Sequence, residues 1–154
     1  MAVNPNTTFT AGAVLTAAQQ NRFPRGVMGY VSRTAGDVTL STSAVTDLTG
    51  MTTTFTAVAN RAYKVTFQAL FKKETNNGYP DLYITDGANN IKTNVFQHIT
   101  PNTFASIVMV CVIPDFTAGS QTVKVRGFSS SVNTIMLANS LQVATLIVED
   151  MGPS

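Results

Sequence analysis

From residue 27 onward the chain alternates apolar and polar positions with the period of two that a half-buried strand requires, and it seldom shows the 3.6-residue period of a helix. The clearest run covers 62–72, where Tyr63, Val65, Phe67, Ala69 and Phe71 share one face and Lys64, Thr66, Gln68, Leu70 and Lys72 the other. Further strands are predicted over 27–34, 37–40, 51–58, 81–85, 91–98, 104–113, 121–128 and 141–148. Breakers separate them: Asn76-Asn77-Gly78, Asp86-Gly87, Asn89-Asn90, Pro101-Asn102 and Ala118-Gly119-Ser120 tolerate positive φ or bond their own backbone. Turn signals recur about every 8–12 residues, the rhythm of an all-β sandwich. The pattern predicts one antiparallel β-sandwich domain over 27–154, preceded by an arm over 1–26.

Two of these segments are apolar on both faces. Over 104–113, Val108, Val110 and Val112 oppose Ile107, Met109, Cys111 and Ile113; over 141–148, Leu141, Val143 and Ile147 oppose Ala144, Leu146 and Val148. A strand apolar on both sides is buried on both, yet a two-layer sandwich covers only the inner side of each sheet. A second copy of the chain is the expected cover, with the folded-back arm as the alternative. Met109, Leu146 and Val148 are therefore the expected subunit-contact residues.

The arm shows the chain's one helical signal. Thr16 is an N-cap with Gln19 at the capping-box position, and Pro24 should stop the helix after about two turns. Phe9, Leu15 and Phe23 are too few to bury one another, so they should anchor the arm on the body, a neighbouring subunit or a different protein.

Composition sharpens the expectation of assembly. Of 154 residues, 44% are hydrophobic and only 12% charged, against about 25% charged in ordinary soluble domains. A weakly charged, partly apolar surface has little to resist association. The net charge of +2 has no basic cluster beyond Lys72-Lys73 and Arg22 with Arg25, which argues against nucleic-acid binding. Cys111, the single cysteine, reads as a buried hydrophobe. Asn4-Pro5-Asn6 stands where a secretory leader would be basic and then apolar, and no apolar run approaches the ~20 residues of a membrane span. Synthesis in a cytoplasm without membrane insertion is the expectation.

Two stretches carry a resemblance. The hairpin Phe55-Thr-Ala-Val-Ala-Asn-Arg-Ala-Tyr63-Lys-Val-Thr-Phe67 resembles that of jelly-roll trimers of the tumour-necrosis-factor and C1q-like group. The opening Phe9-Thr-Ala-Gly12-Ala-Val-Leu15-Thr-Ala-Ala-Gln-Gln-Asn21, the following Pro24-Arg25-Gly26 and the ending Leu146-Ile-Val-Glu149-Asp150-Met-Gly152-Pro153 are similar to small structural proteins of tailed bacteriophages, of minor-tail, fibre or head-decoration type. The resemblance implies a jelly-roll body, a homo-oligomer that is a trimer by preference, and a place in the virion beside other phage structural proteins. It also implies an N-terminal segment that attaches to the particle, with Arg25 beside Phe9, Leu15 and Phe23.

Candidate chemistry is sparse. His98 is the only histidine, so one chain cannot build a multi-histidine metal site. Asp37, Asp47, Asp81, Asp86 and Asp115 sit at strand ends or beside turn residues, where Asp bonds backbone N–H groups. A calcium loop from Asp81, Asp86, Asn89 and Asn90 lacks a known spacing. No catalytic residue, cofactor or metal is expected, and the protein is read as a non-enzyme. The rival reading is a module for cell-surface glycans, with Tyr79, Tyr83 and Phe96 as an aromatic face ringed by Asn76, Asn77, Asn89 and Asn90.

Overall fold

A computed structural model of the protein describes residue 14 and residues 16–154. One helical turn, α1 (Ala17–Gln20), precedes ten strands: β1 (Gly26–Arg33), β2 (Val38–Thr39), β3 (Thr46–Ala57), β4 (Arg61–Lys73), β5 (Pro80–Asp86), β6 (Ile91–Phe96), β7 (Thr103–Ile113), β8 (Gly119–Ser129), β9 (Thr134–Leu137) and β10 (Ala144–Pro153). Every paired strand is antiparallel to its neighbour.

The first sheet runs β1-β10-β4, with β7 on the far side of β4. Beyond the end of β10, β9 takes its place beside the last residues of β4 and carries β2. The second sheet runs β3-β8-β5-β6. The core lies between them, where Tyr63, Val65, Phe67 and Phe71 of β4 meet Phe55, Leu82, Ile84, Val123 and Val125. Gly127 suits this layer because it has no side chain: a Cβ there would lie 2.8 Å from Leu48 Cδ1 and 2.9 Å from Leu82 Cδ2.

Several expectations change. Thr16 caps α1 as a capping box, with the Gln19 N–H donating to its Oγ1 at 3.2 Å. The helix is nevertheless one turn, not two. Ahead of Pro24, which disfavours helical geometry in the residue before it, the chain tightens into Arg22 N–H to Gln19 O and Phe23 N–H to Gln20 O bonds. β3 begins at Thr46, ahead of the predicted 51, because an irregularity between Asp47 and Thr52, with Gly50 at φ 79°, restores the alternation. β9 was not predicted at all. β10 starts at Ala144 instead of 141: Asn139 Oδ1 accepts the Leu141 and Gln142 N–H groups at 2.9 and 3.0 Å, a turn that leaves Leu141 exposed.

The expected subunit contacts need correction. Leu146 and Val148 are 0% exposed and Met109 4%, all three pointing into the layer between the sheets. The period of two settles this once the sheets are packed: the inner face of β7 takes Ile107, Met109 and Ile113, so the valines between them turn outward.

Candidate functional site

The outward face of the first sheet is the apolar surface of this fold. Cα partners align into rows that cross four strands: Tyr30, Ile147, Thr66 and Val110 form one, and Ser32, Thr145, Gln68 and Val108 the next. A third row joins Val27, Glu149, Lys64 and Val112, and its two charges neutralise each other through a 2.6 Å ion pair. Val108, Val110 and Val112 are 54%, 54% and 55% exposed, and Tyr30, Val27 and Phe104 are also more than half exposed. The corresponding face of the second sheet is polar over β3 and β8, with Thr52, Thr54 and Thr56 beside Lys124 and Arg126, which both bond Asp47, and aromatic over β5 and β6, where Phe96 is 68% exposed.

At one end of the sandwich, a buried cluster ties the arm to the body. Arg61 and Asp150 are both almost fully buried; Nε and Nη2 of Arg61 donate to the two carboxylate oxygens of Asp150 at 2.7 and 2.8 Å. The guanidinium then reaches back along the arm, donating to the Phe23 carbonyl at 2.6 Å and to the Asn21 carbonyl. Asp150 also accepts the Gly152 N–H at 2.7 Å. A bidentate pair whose remaining donors and acceptors are used is the arrangement that makes buried charge tolerable. Of the four expected anchoring residues, Phe9 and Leu15 lie outside the described residues, while Phe23 and Arg25 are exposed where the arm meets the body. Arg61 escaped the sequence reading because nothing local marks its partner, 89 positions away.

The hairpin between β3 and β4 packs Phe55, Tyr63 and Phe116 into one cluster, with ring centroids 5.1, 5.5 and 5.9 Å apart. The Tyr63 hydroxyl accepts the Val58 N–H at 2.7 Å and so braces the turn. The adjacent lysines part company: Lys72 faces outward to Glu74 at 3.2 Å, whereas Lys73 is wholly buried and donates to the Ser131 carbonyl at 3.0 Å, to the Val132 carbonyl and to Thr134 Oγ1 at 3.1 Å. Burial holds the Lys73 ammonium below its ordinary range. Burial likewise pushes the Cys111 thiol up to about 11, with Lys92 opposing, so it stays protonated at neutral pH.

The aromatic residues singled out as a glycan face do come together. Asp81 on β5 pairs with Phe96 on β6, and Tyr83 with Asn94. Tyr79 leans on Phe96 with centroids 5.8 Å apart. The Tyr83 hydroxyl donates to Asp81 Oδ2, and this bond, then burial, raise its pKa to about 12. Asn89 and Asn90 stand apart at the β5–β6 turn, where Asp86 accepts the Ala88 and Asn90 N–H groups at 2.9 Å each. That turn borders a cleft of about 340 Å³, where the Lys92 ammonium lies 3.4 Å from Asp86 Oδ2 and 6.0 Å from the Phe116 ring centre. His98 is exposed, and among the described residues no helix is long and apolar enough to cross a membrane.

Two antiparallel sheets in the orders β1-β10-β4-β7 and β3-β8-β5-β6 form a jelly-roll sandwich whose fold is similar to that of tumour-necrosis-factor-like structures. A solved structure of Eiger TNF from S. frugiperda matches with a TM-score of 0.53 at 12% identity, covering 84% of this chain and 96% of that one. Murine APRIL at pH 5.0 matches with a TM-score of 0.52 at 9% identity over 80% of this chain and 98% of that one. These are likenesses of fold. No family model and no curated protein sequence matches the chain.

Proposed function

We propose that this chain is a non-enzymatic structural subunit of a tailed-phage virion, in the tail, a fibre or the capsid decoration, made in the host cytoplasm. It self-associates through the outward face of β1, β10, β4 and β7 and docks on other phage structural proteins through the arm over 1–26. The observation that carries this reading is the row of exposed valines on β7, at the outward face of the first sheet. Val108, Val110 and Val112 lie more than half exposed beside Tyr30 and Ile147, while β3 and β8 of the opposite sheet present threonines and paired charges. Burying apolar surface is worth ~25 cal/mol per Å², which favours association wherever a matching face is offered. The Arg61 cluster supports the second half of the reading by fixing where the arm leaves the body. A trimer is the assembly that the hairpin resemblance implies.

Light scattering of the full chain tests this directly. The expected mass is three times the 16.4 kDa of one chain. Val110→Asp, on a side chain already 54% exposed, should reduce it to one chain with the far-ultraviolet spectrum unchanged. A wild-type protein that stays monomeric, or a Val110→Asp variant that keeps the wild-type mass, would sink the assignment of this face.

A further inference from the structure

The connection from β4 to β5 carries the Asn76-Asn77-Gly78 breaker and with it the one Asn-Gly pair of the sequence. Packing calls for the glycine: a Cβ at position 78 would lie 2.3 Å from Ser131 Oγ, so any side chain there would push Ser131 aside. Asn77 is exposed, and its side-chain amide makes no hydrogen bond among the described residues. The Gly78 N–H donates to the Ile99 carbonyl at 3.4 Å, a long bond in an isolated bridge outside the strands. A free carboxamide thus stands beside a weakly held glycine nitrogen, and glycine, having no Cβ, leaves the approach between them open.

Other asparagines are tied down and precede residues with side chains. Asn90 Nδ2 donates to Asp86 Oδ2 at 2.8 Å, Asn133 Nδ2 to Thr75 Oγ1 at 2.9 Å, and Asn139 Oδ1 accepts the Leu141 and Gln142 N–H groups. Asp86 also precedes a glycine, but its carboxylate takes the Ala88 and Asn90 N–H groups and offers no leaving group comparable to ammonia.

We propose that Asn77 is a site of spontaneous deamidation, converted to aspartate and isoaspartate with water as the only co-reactant. The Gly78 nitrogen gives its proton to solvent and attacks Asn77 Cγ; the N–Cγ bond forms, the Cγ–Nδ2 bond breaks, and the amide nitrogen takes up a proton and leaves as ammonia. Water then opens the succinimide ring. Opening at Cγ yields aspartate, and opening at the Asn77 main-chain carbonyl yields isoaspartate, whose main chain is one methylene longer. That carbonyl is a structural tie: Ser131 Oγ donates to it at 3.0 Å, and the Ser131 carbonyl in turn accepts from the buried Lys73 ammonium at 3.0 Å. Isoaspartate displaces the tie and loosens the segment that closes over Lys73.

The test follows the full chain at physiological temperature, at neutral and mildly alkaline pH, by peptide mapping with mass spectrometry. The peptide holding Asn77 should gain about 1 Da, ahead of every other asparagine and faster at the higher pH, because the attacking nitrogen must lose its proton. Asp86 should be unchanged. Asn77→Gln, whose longer side chain must close a larger ring, should keep its mass over the same period. The deamidated fraction, separated by its added negative charge, should unfold at a lower urea midpoint than the unmodified chain. A peptide that gains mass in urea but not in the folded protein overturns the proposal, because folding then protects the pair. Earlier deamidation at another asparagine overturns it too, as does a charge change that persists in Asn77→Gln. A deamidated fraction as stable as the unmodified chain overturns the loosening of the Lys73 segment.

Discussion

Two side chains on β4 and β5 titrate in opposite senses, and their opposition should be visible in stability. Lys73 is fully buried with only carbonyl and hydroxyl partners, and burial holds its pKa below the ordinary 10.5. The folded chain therefore releases this proton before the unfolded chain does, and stability rises with pH through the window that ends at 10.5. Tyr83 behaves in reverse. Its bond to Asp81 pushes it from 10.0 up to about 12, so its contribution is fully present below 10.0 and is lost as pH climbs toward 12. Urea midpoints taken from about pH 8 to about 11.5 should show a rise and then a fall, flattened respectively by Lys73→Met and Tyr83→Phe. A rising limb that persists in Lys73→Met would assign it to a different group.

Among the elements, the arm and the strand ends that receive it depend on one buried ion pair. Arg61 opens β4, Asp150 lies near the end of β10, and the guanidinium continues to the carbonyls of Asn21 and Phe23. Removing one partner leaves the other charged and dry, a loss of about 3–5 kcal/mol. Arg61→Ala should therefore lower the denaturant midpoint sharply, and joint replacement of Arg61 and Asp150 by methionine should recover much of the loss. If Arg61→Ala unfolds at the wild-type midpoint, the pair does not hold these elements together. The same cluster explains why α1 ends early: once the Asn21 and Phe23 carbonyls turn toward Arg61, the chain has left the helical path.

For the whole molecule, the decisive distinction lies between the two faces of the first sheet. Leu146 and Val110 are both aliphatic residues on strands that read as apolar on both sides, yet Leu146 is sealed between the sheets and Val110 is not. Leu146→Asp should abolish the folded state, because a carboxylate there has no partner. Val110→Asp should spare the fold and remove only the assembly. Circular dichroism beside light scattering separates the two outcomes, and a folded Leu146→Asp protein would contradict the burial of this side chain between the sheets.

The amino-acid sequence by itself determined the strand class, most strand positions and the sandwich, because alternation at a period of two is a local property of the backbone. It also marked turns, since Asn76, Asn89 and Asn102 all adopt the positive φ that their residue type tolerates. It nominated Tyr79, Tyr83 and Phe96 as one surface, and strand pairing does bring them together. Tertiary structure alone decided which side of β7 and β10 faces inward, because a doubly apolar strand has no polar residue to mark its outer side. It alone joined Arg61 to Asp150 and buried Lys73 beside an outward Lys72, since each depends on chain segments distant in sequence. The exposed valine row emerged from the same physics: once the sheets had chosen their inner sides, Val108, Val110 and Val112 were what remained outside.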